Sequence, residues 1–179
     1  TFKVISLLLC YPESDWLAAL PELEQALADE ADFNGDTRGK LAPLFELLRH
    51  SKLIALQENY VATFDRNPSH SLHLFEHIHG ESRDRGSAMI DLLAEYWKRD
   101  FDASAAELPD YVPLFLEFLS LLPADEALEL LGDAVHVIAA RALETATARE
   151  GIVGVARVEP CDAREVERRV AFAAPGFLA

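Results

Sequence analysis

Cysteine is scarce in this chain: two in 179 residues, Cys10 and Cys161, far apart. They form no CxxC pair and no disulfide framework, and neither sits in a basic setting that would lower a thiol pKa. Long apolar runs are missing too, although half the residues are hydrophobic. A membrane span needs about 20 consecutive apolar residues. The apolar start VISLLLC breaks at Tyr11-Pro12-Glu13 and has no small-residue cleavage site, so it makes a poor signal peptide and a cytoplasmic chain is expected. Basic residues are absent from Asp100 to Ala140, where nine acidic ones lie. The formal charge of −15 falls entirely within residues 1–140, which hold 10 basic against 25 acidic residues, because residues 141–179 carry six of each. Such a field repels nucleic acid and anionic lipid and attracts a basic peptide, or else serves as a solubilising surface.

Catalytic signatures are missing as well. There is no GxSxG, no GxGxxG or GxxxxGK[ST], and no HExxH. No stretch alternates with period two for long enough to build a sheet, and no repeat or interdomain linker stands out. What remains is helical periodicity. Phe2, Ile5, Leu8 and Leu9 fit a first helix stopped by the Tyr-Pro step. Ser14 is placed to cap a second, interrupted at Pro21. Asn34-Gly35-Asp36 reads as a loop, Lys40 to His50 as a helix, and Ser51 as the start of another through Phe64. Pro113 suits the first turn of a helix that buries Phe115, Phe118 and Leu119. A long helix follows through Leu128, Leu131, Val135, Ile138 and Ala142, then an ambiguous segment from Gly151 to Val158 and a short helix from about Asp162 to Ala173. The expectation is an all-α, single-domain helical bundle over residues 1–179, less regular from about residue 150. Tyr60, Phe64, Trp97, Tyr111, Phe115 and Phe118 read as core before ligand platform.

One stretch is chemically dense. Leu72 to Met89, LHLFEHIHGESRDRGSAM, holds three of the six histidines, two glutamates, an aspartate, two arginines and two glycines. A short helix through His79 is expected to stop at Gly80. Ser82 then offers an N-cap to a helix whose Met89, Leu92, Leu93 and Tyr96 point inward. Gly86 inside that helix costs about 1 kcal/mol relative to Ala, which suggests close approach of another backbone. His70, His73 and His77, at i, i+3 and i+7, raise the alternative of a metal-dependent hydrolase with nearby Glu76, His79, Glu81 and Asp84, and with His136 further on. The other reading of this stretch is surface and cap histidines, with Glu81 and Arg85 paired along the helix. Without a catalytic motif, an acidic helical binding protein fits better than an enzyme.

The stretch FEHIHGESRDRGSAM closely resembles the signature of the nitrate reductase delta-subunit family, the NarJ-type molybdenum-cofactor assembly chaperones among the redox-enzyme maturation proteins. Tyr60, Phe64, Asp65 and Arg66 are similar to a Y-x-x-x-F-D-R element before it. Glu107-Leu108-Pro109-Asp110 with Pro113, Leu114, Glu117 and Leu119 is similar to its second motif, and Arg168-Arg169, Ala174-Pro175 and Leu178 to its tail. Two departures stand out: Tyr111 where histidine is frequent, and a shorter span at residues 143–160. The resemblance implies an all-helical, non-catalytic cytoplasmic chaperone with no cofactor or metal of its own. Its implied partner is the apo catalytic (alpha) subunit of respiratory nitrate reductase, bound partly through a basic or apolar N-terminal segment. The matched residues are the implied contact set. Tyr60 and Phe64 form a wall, and Pro109 and Pro113 belong to the same set. Asp65, Glu81, Asp84, Asp110 and Glu117 face basic groups, with His77 and His79 beside them. Arg83 and Arg85 contact the partner or lock the loop by pairing with those carboxylates.

Overall fold

The first helix, α1 (Phe2–Leu9), lies where two apolar clusters meet. Its Phe2, Ile5 and Leu9 pack on a cluster that includes Leu92, Tyr96, Phe115, Phe118 and Leu119. Its Val4 and Leu8 join a second cluster with Leu20, Leu27, Phe45, Leu48 and Leu56. Helical spacing sorts these two sets onto different faces of one short helix. The computed structural model describes residues 1–30, 35–66, 68–79, 83–103, 106–132 and 134–135. Among them the architecture is all-α, with one isolated antiparallel bridge, His73 to Tyr111. No described helix is long and apolar enough to cross a membrane.

Proline sets several boundaries as expected. Beyond α1 the backbone is extended at Cys10 (φ −74°, ψ 159°), ahead of the Tyr-Pro step. Two short helices follow, α2 (Ser14–Ala18) and α3 (Leu20–Asp29), with Pro21 in the first turn of α3, where its missing N–H is harmless. Helix α8 (Val112–Leu119) likewise holds Pro113 in its first turn and buries Val112 to Leu116, Phe118 and Leu119. It lies against α1, where the buried Ser6 hydroxyl donates to the Pro113 carbonyl at 2.7 Å. Residues 124–132 continue as the start of the expected long helix.

Other boundaries differ. Glu13, not Ser14, holds the N-cap position of α2, and the Ser14 hydroxyl donates to Asp15 instead. Helix α4 (Gly35–His50) begins five residues before Lys40, so Gly35 and Asp36 are helical. Local turn preference is a weak bias beside the burial of Phe45 and Leu48 further along the same helix. Helix α5 (Leu53–Tyr60) starts after Lys52 and widens into a π turn at Val61–Asp65, where the Arg66 N–H donates to the Val61 carbonyl at 3.1 Å. A 3-10 turn at Pro68–His70 leads to α6 (Leu74–His79) and α7 (Arg83–Lys98). Leu92 and Tyr96 are buried on α7, but Trp97 is 61 % exposed and is not core. The expected stop at Gly80, cap at Ser82, helix beyond residue 135, segment Gly151–Val158, helix Asp162–Ala173 and Cys161 lie outside the described residues, as does Asn34.

Helix α7 ends in a Schellman motif. Phe101 N–H donates to the Tyr96 carbonyl at 3.0 Å, Asp100 N–H to that of Trp97 at 3.1 Å, and Asp100 takes φ 54° between them. The accompanying apolar contact is Phe101 against Tyr96, rings nearly perpendicular at 5.2 Å. A left-handed Asp costs about 1–2 kcal/mol, part of which glycine recovers. Asp100→Gly is therefore expected to raise stability by about 0.5–1 kcal/mol in urea unfolding. Gly86 gives the opposite finding to the close approach expected: a Cβ there would meet nothing within 4 Å. Gly86→Ala should stabilise the helix by up to about 1 kcal/mol, read by the same titration.

Candidate functional site

The signature stretch and the second motif are joined by a backbone clasp. Val112 N–H donates to the Leu72 carbonyl at 2.8 Å, and Leu74 N–H to the Asp110 carbonyl at 3.0 Å. The Asp110 carboxylate lies inside this clasp with no exposed surface. It accepts from Phe75 N–H at 3.0 Å and stands 3.3 Å from His73 Nδ1. Asp110 thus serves two N–H groups at the start of α6, with its side chain and its carbonyl, from 35 or more residues away in sequence. A negative charge is also favourable at that end of the helix. Arg85 Nη2 lies 3.9 Å from the same carboxylate, while Arg85 Nε is buried without a hydrogen-bond partner. Behind the clasp, the buried Tyr96 hydroxyl donates to the Pro109 carbonyl at 2.7 Å. Burial, then the Asp110 charge, pushes that phenol far above its ordinary pKa.

On the other side of the bridge, Tyr111 opens an aromatic surface. Its hydroxyl is 3.0 Å from that of Tyr60, whose own hydroxyl donates to the Leu9 carbonyl at 3.1 Å. Tyr60 has one proton and gives it to Leu9, so Tyr111 donates to Tyr60. The Tyr60 ring meets Tyr11 edge-on at 5.4 Å and Phe64 at 4.9 Å, and the Tyr111 ring lies 5.5 Å from that of His73. Burial raises the pKa of both phenols. Acidic charge also bears on the adjoining Cys10. Burial first, then Glu117, lifts the Cys10 thiol to about 11, with Glu107 and Glu13 adding to the rise and Lys3 opposing it. Cys10 is a neutral, partly buried thiol.

The expected contact residues divide on this geometry. Tyr60 and Phe64 share the aromatic surface, Glu117 pairs with Lys3 across α1 and α8, and Asp65 is exposed at the end of the π turn. Asp110 and Pro113 are buried and face their own chain, and Pro109 supports Tyr96. Arg85 belongs to the clasp, as the loop-lock reading has it; Arg83 and Asp84 are exposed and pair with no described residue. His77 and His79 fall in the last turn of α6, and Glu81 lies outside the described residues. His70 Nδ1 lies 3.1 Å from the Thr63 carbonyl and His73 turns to Asp110, so the two go to separate partners. Among the described residues no three His, Cys, Asp or Glu side chains gather as a metal site. His136 lies outside them. Tyr11, Glu13 and the Leu9 carbonyl were not foreseen as parts of the site. The Tyr-Pro step read only as a helix stop.

Removing the clasp carboxylate leaves an orphan N–H and an uncompensated arginine. Asp110→Ala should cost about 3–5 kcal/mol in urea unfolding, and Asp110→Asn about 1–3 kcal/mol. Arg85→Ala should also fall in the range of about 1–3 kcal/mol. Asp84→Ala should stay within about 0.5 kcal/mol.

The family model described as nitrate reductase delta subunit matches residues 14–147. The nitrate reductase molybdenum cofactor assembly chaperone NarJ of Escherichia coli (strain K12) is 39 % identical over 136 residues, 76 % of this chain and 58 % of that protein. A probable nitrate reductase molybdenum cofactor assembly chaperone NarW of the same strain is 40 % identical over 137 residues, covering 76 % and 56 %. A probable chaperone of the same description, NarJ of Bacillus subtilis (strain 168), is 37 % identical over 127 residues, covering 71 % and 68 %. The chain therefore spans less than two thirds of the two Escherichia coli relatives. With both motifs held in one clasp and the match running through them, this chain belongs to the nitrate reductase delta subunit family.

Proposed function

We propose that this protein is a cytoplasmic, non-catalytic chaperone that binds the apo catalytic subunit of respiratory nitrate reductase. It holds that subunit competent for molybdenum-cofactor insertion and membrane assembly. The names of its relatives as molybdenum cofactor assembly chaperones support the role. The observation that carries the binding mode is the aromatic cluster of Tyr11, Tyr60, Phe64 and Tyr111, partly exposed and most open at Tyr11, with the carboxylates of Glu13, Asp65 and Glu107 near it. Such a surface offers apolar area and negative charge together, which suits a basic amphipathic segment such as the client's N-terminus.

The clasp residues do a different job in this reading. Asp110, Arg85 and His73 hold α6 and Tyr111 in register, while the exposed members of the motifs touch the client. Asp84 and Arg83, at the start of α7, are free of intramolecular duty among the described residues and belong to the client contact. His77, His79 and Glu81 remain in the proposed set by their place in the signature.

The test has two readouts. Tagged chaperone isolated from nitrate-respiring cells should carry the catalytic subunit. Titration of that subunit's N-terminal peptide should weaken several-fold as ionic strength rises from about 0.05 M to about 0.5 M, since the screening length shrinks across that range. Affinity unchanged by salt would leave the carboxylates as a solubilising fringe only. Asp84→Ala should reduce nitrate reductase activity in cells without lowering the chaperone's melting temperature.

A further inference from the structure

We propose that, in the absence of client, the outward face of α7 pairs antiparallel with the same face of a second copy, and that client binding separates the two. The separation, unlike the pairing, rests on the chaperone reading.

The face of α7 opposite the buried Leu92 and Tyr96 carries Arg83, Ser87, Ile90, Ala94 and Trp97. These recur at alternating steps of four and three, the spacing of a coiled-coil seam. Ile90 is 68 % exposed and Trp97 61 %. A Cβ on Gly86, at the edge of the seam, would meet nothing within 4 Å, so this side of the helix is bare. Two large apolar side chains thus stand in water on a helix whose other face is fully used by the core and the clasp.

The seam fits its own reverse, and this identifies the occupant. Run antiparallel, it sets Trp97 over Ser87 of the second copy and Ile90 over Ala94, large against small in each layer. A two-fold axis doubles every such contact. The charges along one edge agree with that direction. Asp84 is exposed and pairs with no described residue, and Lys98 stands two heptads further along the same edge. Antiparallel pairing brings Asp84 of each copy to Lys98 of the other, whereas parallel pairing sets Asp84 against Asp84. Lys98 can leave its own Glu95 without stranding it, because Arg99 holds that carboxylate as well. One contact opposes: Asp91, midway along the edge, meets its own copy near the axis. Two seams about 20 Å long bury on the order of 1,000 Å² in total, the low end for a specific interface, so the pair forms in the micromolar range and parts readily. Arg83 and Asp84 are the residues assigned to the client at this end of α7, so a paired copy has neither to offer. The free chaperone shields its apolar stripe until the client takes those contacts over.

The experiment is sedimentation velocity on the full chain over about 1–500 µM, where mass action should raise the dimer fraction with concentration. Ile90→Glu and Trp97→Glu should weaken the dimer at least about tenfold, at a melting temperature unchanged in dilute protein, since both side chains are exposed. Asp84→Lys and Lys98→Asp should each weaken it about three- to tenfold, because the axis breaks two pairs at once. Combined in one chain, the two should restore it to within about twofold, which a merely general charge effect would not do. Asp91→Asn should tighten it about twofold. Added apo catalytic subunit should give a complex with a single chaperone copy.

A wild type that stays monomeric throughout overturns the pairing. So does a dimer that Trp97→Glu and the single charge variants leave intact, or a charge swap that fails to rescue. A client complex holding two copies, still sensitive to Trp97→Glu, overturns the separation. If the dimer forms and no complex with the subunit does, the pairing stands and it is the chaperone reading that falls.

Discussion

A buried carboxylate organises this molecule. Asp110 brings a negative charge out of water, which is costly unless the charge is met by donors on several sides. Here a helix N-terminus, a histidine and an arginine converge on it. Because those donors come from residues 73 to 85, the two halves of the family signature are held together by the same charge. Tyr111 and Pro109, on either side of Asp110, inherit fixed positions from it. One faces the aromatic surface, and the other receives the hydroxyl of the fully buried Tyr96.

The second organising element is α1. It carries two apolar faces, each completing a different cluster, and its C-terminal carbonyl at Leu9 is capped by a phenol from the end of α5. Helix ends normally leave such carbonyls to water or to a glycine turn. The capped end of α1 is therefore also the floor of the aromatic surface, so core packing and site geometry share one helix.

Helix existence and most stops were legible because their causes are local. The Tyr-Pro step ended α1, Pro21 split α2 from α3, and Pro113 opened α8. Apolar spacing put Leu92 and Tyr96 inward, but it could not place Trp97, whose neighbours are set by tertiary packing. Asp110 looked like a surface charge, since nothing in its local spacing tells that residues 72–75 return to lie against residues 110–112. Gly86 invited a packing explanation that open space around it does not support. The site was legible in part through family resemblance: Tyr60 and Phe64 were named, while Tyr11 and Glu13 sat in what read as a turn. The metal alternative rested on sequence density of histidine, and density is not convergence: His70 and His73 turn to different partners.

The hydroxyl relay from Tyr111 through Tyr60 to Leu9 also bears on what this surface refuses. Its proton order follows from the Tyr60 hydroxyl that caps a helix carbonyl, so the outer oxygen, that of Tyr111, offers lone pairs that no described donor uses. A partner segment that brings a carboxylate or an unpaired carbonyl to that oxygen sets acceptor against acceptor, amid carboxylates of the same sign. Turning the relay around would strip the helix end of its donor. In the complex proposed above, discrimination is by rejection, set by a backbone group away from the partner.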